Sequence, residues 1–163
     1  MQDQSPVPRR PPADTTSPEL AELATWSPWL PFDQALAQAP RQPGVYLARS
    51  AGVIVYVGMA GERRGLGIRG RLAIYASGKG AVSGLGEAAF NRALADRAWV
   101  RSQLVALEAG EARAAKEWAR AALEHASLEL AWATTADRAA ALRLEAQVIA
   151  LLHPHGALWN ARI

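Results

Sequence analysis

The stretch Gly44-Val45-Tyr46-Leu47-Ala48-Arg49-Ser50-Ala51-Gly52-Val53-Ile54-Val55-Tyr56-Val57-Gly58 decides the fold. Two runs rich in β-branched and aromatic residues, 44–48 and 53–57, are separated by residues 49–52, which end in glycine. Runs that close together predict an antiparallel hairpin. Side chains alternate faces along a strand, so Tyr46 and Tyr56 share a face. A connection of odd length would set them directly opposite each other.

Working outward, residues 1–24 begin with a run rich in Pro, Ser, Thr and Asp and read as a disordered Pro-rich tail. Residues 25–163 then form a single domain. Trp26, Trp29, Leu30 and Phe32, with a short helical stretch at 33–38, read as a segment held against that domain by its aromatics. After the hairpin come a Gly-rich segment (58–70), a short helix at about 68–76 and a loop at 80–86. An Ala-rich helical insertion at about 78–127 carries helices near 87–95, 97–108 and 112–125, with Asp96 and Gly110 between them. Residues 128–132 alternate as a third strand. Thr134, Thr135 and Asp137 can cap a last helix at about 136–152, which His153-Pro154 stops. The expected fold is α+β: a small three-stranded sheet, made of the N-terminal β-hairpin and a third strand, flanked by helices.

Composition narrows the class. In 163 residues, 50% hydrophobic and 20% charged, there is material for one core, and the bulk is no solvating chain. The absence of cysteine excludes a disulfide framework and Cys-ligated zinc and fits a cytoplasmic protein. No apolar run reaches the roughly 18 residues of a membrane span. A net charge of +3 tolerates a polyanionic partner without requiring one.

The chemistry begins with Glu145. Leu142, Val148, Ile149 and Leu152 are spaced as an apolar helical stripe, and Glu145 falls on it. A carboxylate there needs a cation, as in a structural Arg–Glu pair, or a metal. Arg71 lies one turn before Tyr75, so the two share a helix face. Each feature alone has a bland reading: a solvated arginine, or cross-strand packing of tyrosines. Gly65-Leu66-Gly67-Ile68-Arg69-Gly70 fits the dinucleotide fingerprint literally but follows a hairpin, not a strand of a βαβ unit. Gly78-Lys79-Gly80 lacks the spacing of a P-loop. His125, His153 and His155 read as capping or surface residues.

Taken together and in order, these residues resemble the GIY-YIG nuclease family. Gly44-Val45-Tyr46 and Tyr56-Val57-Gly58 look like its paired tyrosine motifs. The stretch from Ile68 to Tyr75 is similar to its arginine helix, with Arg71 at the arginine position. Glu145, His153-Pro154 and Asn160 match its glutamate and its terminal proline–asparagine pattern. The likeness covers about 43–75 and 142–160, and resembles the N-terminal nuclease domain of excision-repair endonucleases.

The resemblance implies a metal-dependent endonuclease acting on phosphodiester bonds of nucleic acid, with DNA the expected substrate. Glu145 would hold one Mg²⁺ or Mn²⁺, as a single carboxylate with several waters commonly does. Arg71 would contact the phosphate. Tyr46 would be the general base, needing help because a phenol's ordinary pKa is about 10. Tyr56 and Tyr75 would position water or substrate, and Asn160 would hold the site together or touch the phosphate. Arg63, Arg64, Arg69 and Lys79 are candidate nucleic-acid contacts. Met59 stands where excision-repair relatives carry a lysine, so a catalytically inactive nucleic-acid-binding module of the same fold is the alternative. An interaction protein that docks a partner through its N-terminal segment or helical middle is a third reading.

Overall fold

The computed structural model describes residues 17–160. In chain order the elements are α1 (Pro18–Leu23), β1 (Leu30–Pro31), α2 (Phe32–Gln38), β2 (Gly44–Ser50), β3 (Val53–Ala60), α3 (Gly67–Ala76), α4 (Gly84–Ala95), α5 (Arg97–Glu108), α6 (Ala115–His125), β4 (Leu128–Thr134) and α7 (Arg138–Leu152). Short 3-10 turns lie at Arg63–Gly65 and His153–His155.

The expected hairpin forms across Ala51-Gly52. Both turn residues have positive φ, the geometry that matches the twist of the strands. Its register differs from the odd-length case. Tyr46 faces Gly58 and Ala48 faces Tyr56, so the tyrosines are diagonal neighbours on one face. Past Ala48 the register shifts and Arg49 faces Ile54, which leaves Val55 as the extra residue of a bulge.

The sheet is antiparallel and has four strands, in the order β1-β4-β2-β3, rather than three. Leu30 pairs with Leu130 and Pro31 with Glu129. Two residues, one of them proline, leave no strand pattern to read. At a sheet edge a proline is tolerated because its missing N–H faces outward.

Helices cover both faces. On one, Tyr46, Ala48, Tyr56 and Leu130 pack against Ala35 of α2, Ile68, Leu72 and Tyr75 of α3, Leu85 and Ala89 of α4, and Leu123 of α6. On the other, Val45, Leu47, Val57 and Ala133 pack against Leu20 of α1 and against Leu144 and Val148 of α7. The helical middle adds a small core of its own, Ala93, Trp99 and Ala122, with Trp118 edge-to-face on Trp99 at 5.9 Å. Asp96 caps α5 by accepting from the Ala98 and Trp99 N–H groups, and His125 Nε2 lies 2.9 Å from its other oxygen.

The expected tail ends earlier than residue 24. Ser17 caps α1, whose Leu20 is fully buried, and Trp26 donates to the Leu20 carbonyl at 2.8 Å. An isolated six-residue helix is unstable in water, so burial of Leu20 is what holds α1 in place. The part of the tail expectation covering residues 1–16 lies outside the described residues. Among those described, no helix is long and apolar enough to cross a membrane.

Arg49 and Glu129 face each other across β2 and β4 and form a bidentate pair at 2.7 and 3.0 Å, with Trp29 against the guanidinium. The pair holds the Glu129 carboxyl below its usual range.

Burial of Leu20 separates a structural α1 from a loose tail. Leu20→Ala is expected to cost roughly 2–4 kcal/mol in urea unfolding, the range for a buried leucine. A tail residue would cost nothing.

Candidate functional site at the free edge of the sheet

β3 is the edge strand on one side of the sheet, and the expected site residues gather along it. The start of α3 is pinned to the preceding loop: Ile68 N–H donates to the Gln42 carbonyl and Arg69 N–H to the Pro40 carbonyl. The helix then lays Tyr75 on the tyrosine face of the hairpin. The Tyr46 and Tyr75 hydroxyls are 2.7 Å apart, and the Tyr46 and Tyr56 rings stack with centroids 6.2 Å apart. Gly58 makes room for this. A Cβ built there would overlap the Tyr46 hydroxyl, which crosses over it from the facing strand.

The cluster has a roof that the sequence did not reveal. Gly84, with φ +55°, opens α4 directly above the hydroxyls. A Cβ on it would overlap the Tyr75 hydroxyl and come within 3.2 Å of that of Tyr56. Leu85 N–H reaches the Tyr75 hydroxyl at 3.4 Å. The glycines of 78–86 were the available signal, but nothing in their spacing says which side chains they cover.

This burial decides the tyrosine chemistry. Tyr46 is 1% exposed. Burial pushes its pKa well up, Tyr75 and Tyr56 push further, and Arg71 opposes them. Burial also raises Tyr56, followed by Tyr75 and Glu145, again against Arg71. Both are neutral phenols at neutral pH. Tyr46 is closed off and its hydroxyl bonds to that of Tyr75, not Tyr56, so for a base role the help on hand is the Arg71 charge rather than a hydrogen bond from Tyr56. The Tyr56 hydroxyl forms no hydrogen bond among the described residues.

Glu145 reaches the same edge from α7, on the other face. Of the expected α7 stripe, Val148, Ile149 and Leu152 pack inward, while Leu142 is 39% exposed and Ala141 and Leu144 take the buried positions of the preceding turns. Glu145 sits half-buried at its margin. Burial raises its carboxyl, while the Met59 backbone N–H and the Arg71 charge pull it down. It forms no salt bridge among the described residues, so the structural Arg–Glu pair is not realised there.

Asn160 zips the free edge. Val57 N–H donates to its Oδ1 at 3.1 Å and its Nδ2 donates to the Val57 carbonyl at 2.7 Å. Trp159 N–H adds a bond to the Val55 carbonyl, and Arg92 of α4 stacks over the Trp159 ring at 4.5 Å. The structure thus gives Asn160 the holding role.

The basic candidates divide. Arg63 and Arg64 are exposed in the turn after β3, and Lys79 is exposed after α3. Arg69 is committed elsewhere: its guanidinium donates to the Ala39 and Ala37 carbonyls at the end of α2, at 2.7 and 2.9 Å. Glu62 accepts from Arg138 N–H at 2.7 Å, tying the turn to the start of α7. The glycines of the dinucleotide-like run serve packing, Gly67 against the Gln42 carbonyl and Gly70 against Leu66, in a sheet without parallel strands.

No family model matches this chain, and no curated protein or solved structure does. The geometry must carry the reading. Among the described residues no group of three or more His, Asp or Glu could cage a metal. A half-buried Glu145 with no ion pair among the described residues fits Mg²⁺, which keeps most of its waters and takes one or two carboxylates.

Two outcomes test this geometry. Gly58→Ala must displace the Tyr46 ring and is expected to cost roughly 2–3 kcal/mol in chemical denaturation. Because folding raises the Glu145 pKa, the folded protein favours the protonated form, and ionising Glu145 costs stability as pH rises through that pKa. Glu145→Gln should therefore melt higher than wild type near pH 7.5, with the difference shrinking toward about pH 4. Calorimetry across that range checks it.

Proposed function

We propose that this protein is a metal-dependent endonuclease that hydrolyses phosphodiester bonds in nucleic acid, with DNA the expected substrate, at the β3 edge. The observation that carries the reading is the meeting of a half-buried Glu145, in no ion pair among the described residues, with Arg71 and the Tyr46–Tyr75–Tyr56 cluster, brought from four elements to one edge. A structural fold needs no lone carboxylate there. The order of these residues is also the order that resembles the GIY-YIG family.

In this reading Glu145 holds one Mg²⁺ or Mn²⁺, which supplies charge stabilisation at the scissile phosphate. Arg71 lies against the phosphate oxygens, where a planar cation suits the charge that develops during attack. Tyr56 is assigned the attacking water. Its hydroxyl is unengaged among the described residues, and it feels both Glu145 and Arg71, whereas the Tyr46 hydroxyl is bonded to Tyr75 and the residue is 1% exposed against 9% for Tyr56. Being neutral, Tyr56 orients the water through its hydroxyl and does not act as a phenolate base. Tyr46 and Tyr75 hold that ring in place. Arg63, Arg64 and Lys79 steer the polyanion.

The roof over the tyrosines favours one competing reading, an inactive nucleic-acid-binding module. Met59 fits it too. Its side chain packs on the α7 face beside Val57, where no lysine assists.

Cleavage of supercoiled plasmid and of branched or flapped oligonucleotides in Mg²⁺, Mn²⁺ or EDTA separates the two. Metal-dependent cutting is expected, lost in Glu145→Ala and reduced about 10²–10³-fold in Arg71→Ala. Tyr56→Phe is expected to lower the rate more than Tyr46→Phe. Salt-dependent binding without cutting by any of them would make the binding module the better account.

A further inference from the structure

The helix α5 stands out because only one of its two apolar stripes is used. Trp99, Gln103 and Ala106, at i, i+4 and i+7, turn toward the molecule. One position on, Val100, Leu104 and Leu107 repeat that spacing and face outward, 40%, 52% and 42% exposed. Val105 beside them is 65% exposed and Leu94, just before α5, is 52% exposed. Scattered surface leucines need no explanation, but a helical stripe of them does.

The charges along the stripe say what covers it. Arg97 and Arg101 flank its N-terminal half, and Glu108 ends the helix. Beyond the Asp96 cap no acidic residue lies in the first turn and no basic one in the last, so Arg97, Arg101 and Glu108 run against the helix's own dipole. None of the three forms an ion pair among the described residues. A second α5 laid antiparallel across a two-fold axis corrects all of this. Arg97 and Arg101 of each helix then meet the Glu108 end of the other, and the negative end of each dipole meets two cations. A parallel arrangement would set like charges together.

We infer that the Val100–Leu104–Leu107 face of α5 is an isologous interface between two copies of this chain, packed antiparallel. A helix of 12 residues is about 18 Å long, so the contact is small and the dimer reversible. The surface belongs to α5, outside the residues assigned to cleavage, so the inference does not depend on the nuclease reading.

Sedimentation velocity on the full chain from about 1 to 200 μM tests it, with circular dichroism confirming the fold of each variant. Wild type is expected to pass from monomer to dimer over this range, and Leu104→Glu to stay monomeric. Arg101→Glu or Glu108→Arg alone should weaken the dimer at least tenfold, and the two together in one chain should restore it. That rescue requires the antiparallel pairing of identical faces. A wild type that stays monomeric at 200 μM, a dimer indifferent to Leu104→Glu, or a double reversal no better than its singles would each overturn the proposal. So would a chain that dimerises only after residues 2–16 are removed, because that would assign the face to that segment.

Discussion

Strand β2 is hydrogen-bonded on both sides and buried on both faces, and the rest of the molecule is arranged around that constraint. Its odd positions, Val45 and Leu47, call α7 and α1 to one face, and its even positions, Tyr46 and Ala48, call α2, α3, α4 and α6 to the other. A strand so enclosed cannot offer a reactive group to solvent along its length. Chemistry is pushed to the sheet margin, where β3 ends the order. There the tyrosine face and the α7 face can both contribute, and Trp159 and Asn160 occupy the strand edge that would otherwise invite another chain.

Two arginine–carboxylate relationships show the contrast between frame and site. Arg49 and Glu129, directly opposed on neighbouring strands, close to a bidentate pair and satisfy each other. Arg71 and Glu145 approach from different faces, influence each other electrostatically and do not join. The first pair lowers its carboxyl, and the second site leaves a carboxyl raised by burial. Among the described residues the first arrangement closes to an ion pair and the second does not.

The helical middle is more than a spacer. Through Leu85, Ala89 and Leu123 it completes the core over the tyrosines, and through Gly84 it sets how closely anything can approach their hydroxyls. Its outer helix α5 reaches away from the sheet and keeps an apolar stripe that nothing in the described chain covers. The same insertion therefore faces the site with one end and the solvent with the other.

Local patterning made the hairpin, the third strand, the last helix and the order of the site residues legible before any coordinates. Alternation, β-branching and caps act over a few neighbours and leave their mark in the chain. The bounds of α5 were readable to the residue because Asp96 caps it. The two-residue strand β1 left no pattern, and neither did the burial of Leu20, because each depends on partners far along the chain. On α7 the expected stripe packs inward at Val148, Ile149 and Leu152 but not at Leu142, whose place Leu144 takes, since a helix with apolar residues on several sides is oriented by what it packs against. Arg69 looked like any other basic residue until the end of α2 was placed beside it. By itself the sequence determined which chemical groups are present and in what order. Tertiary structure alone decided which tyrosine is sealed, which arginine is engaged and which carboxylate stays unpaired, because burial and pairing depend on distances between segments that chain order does not encode.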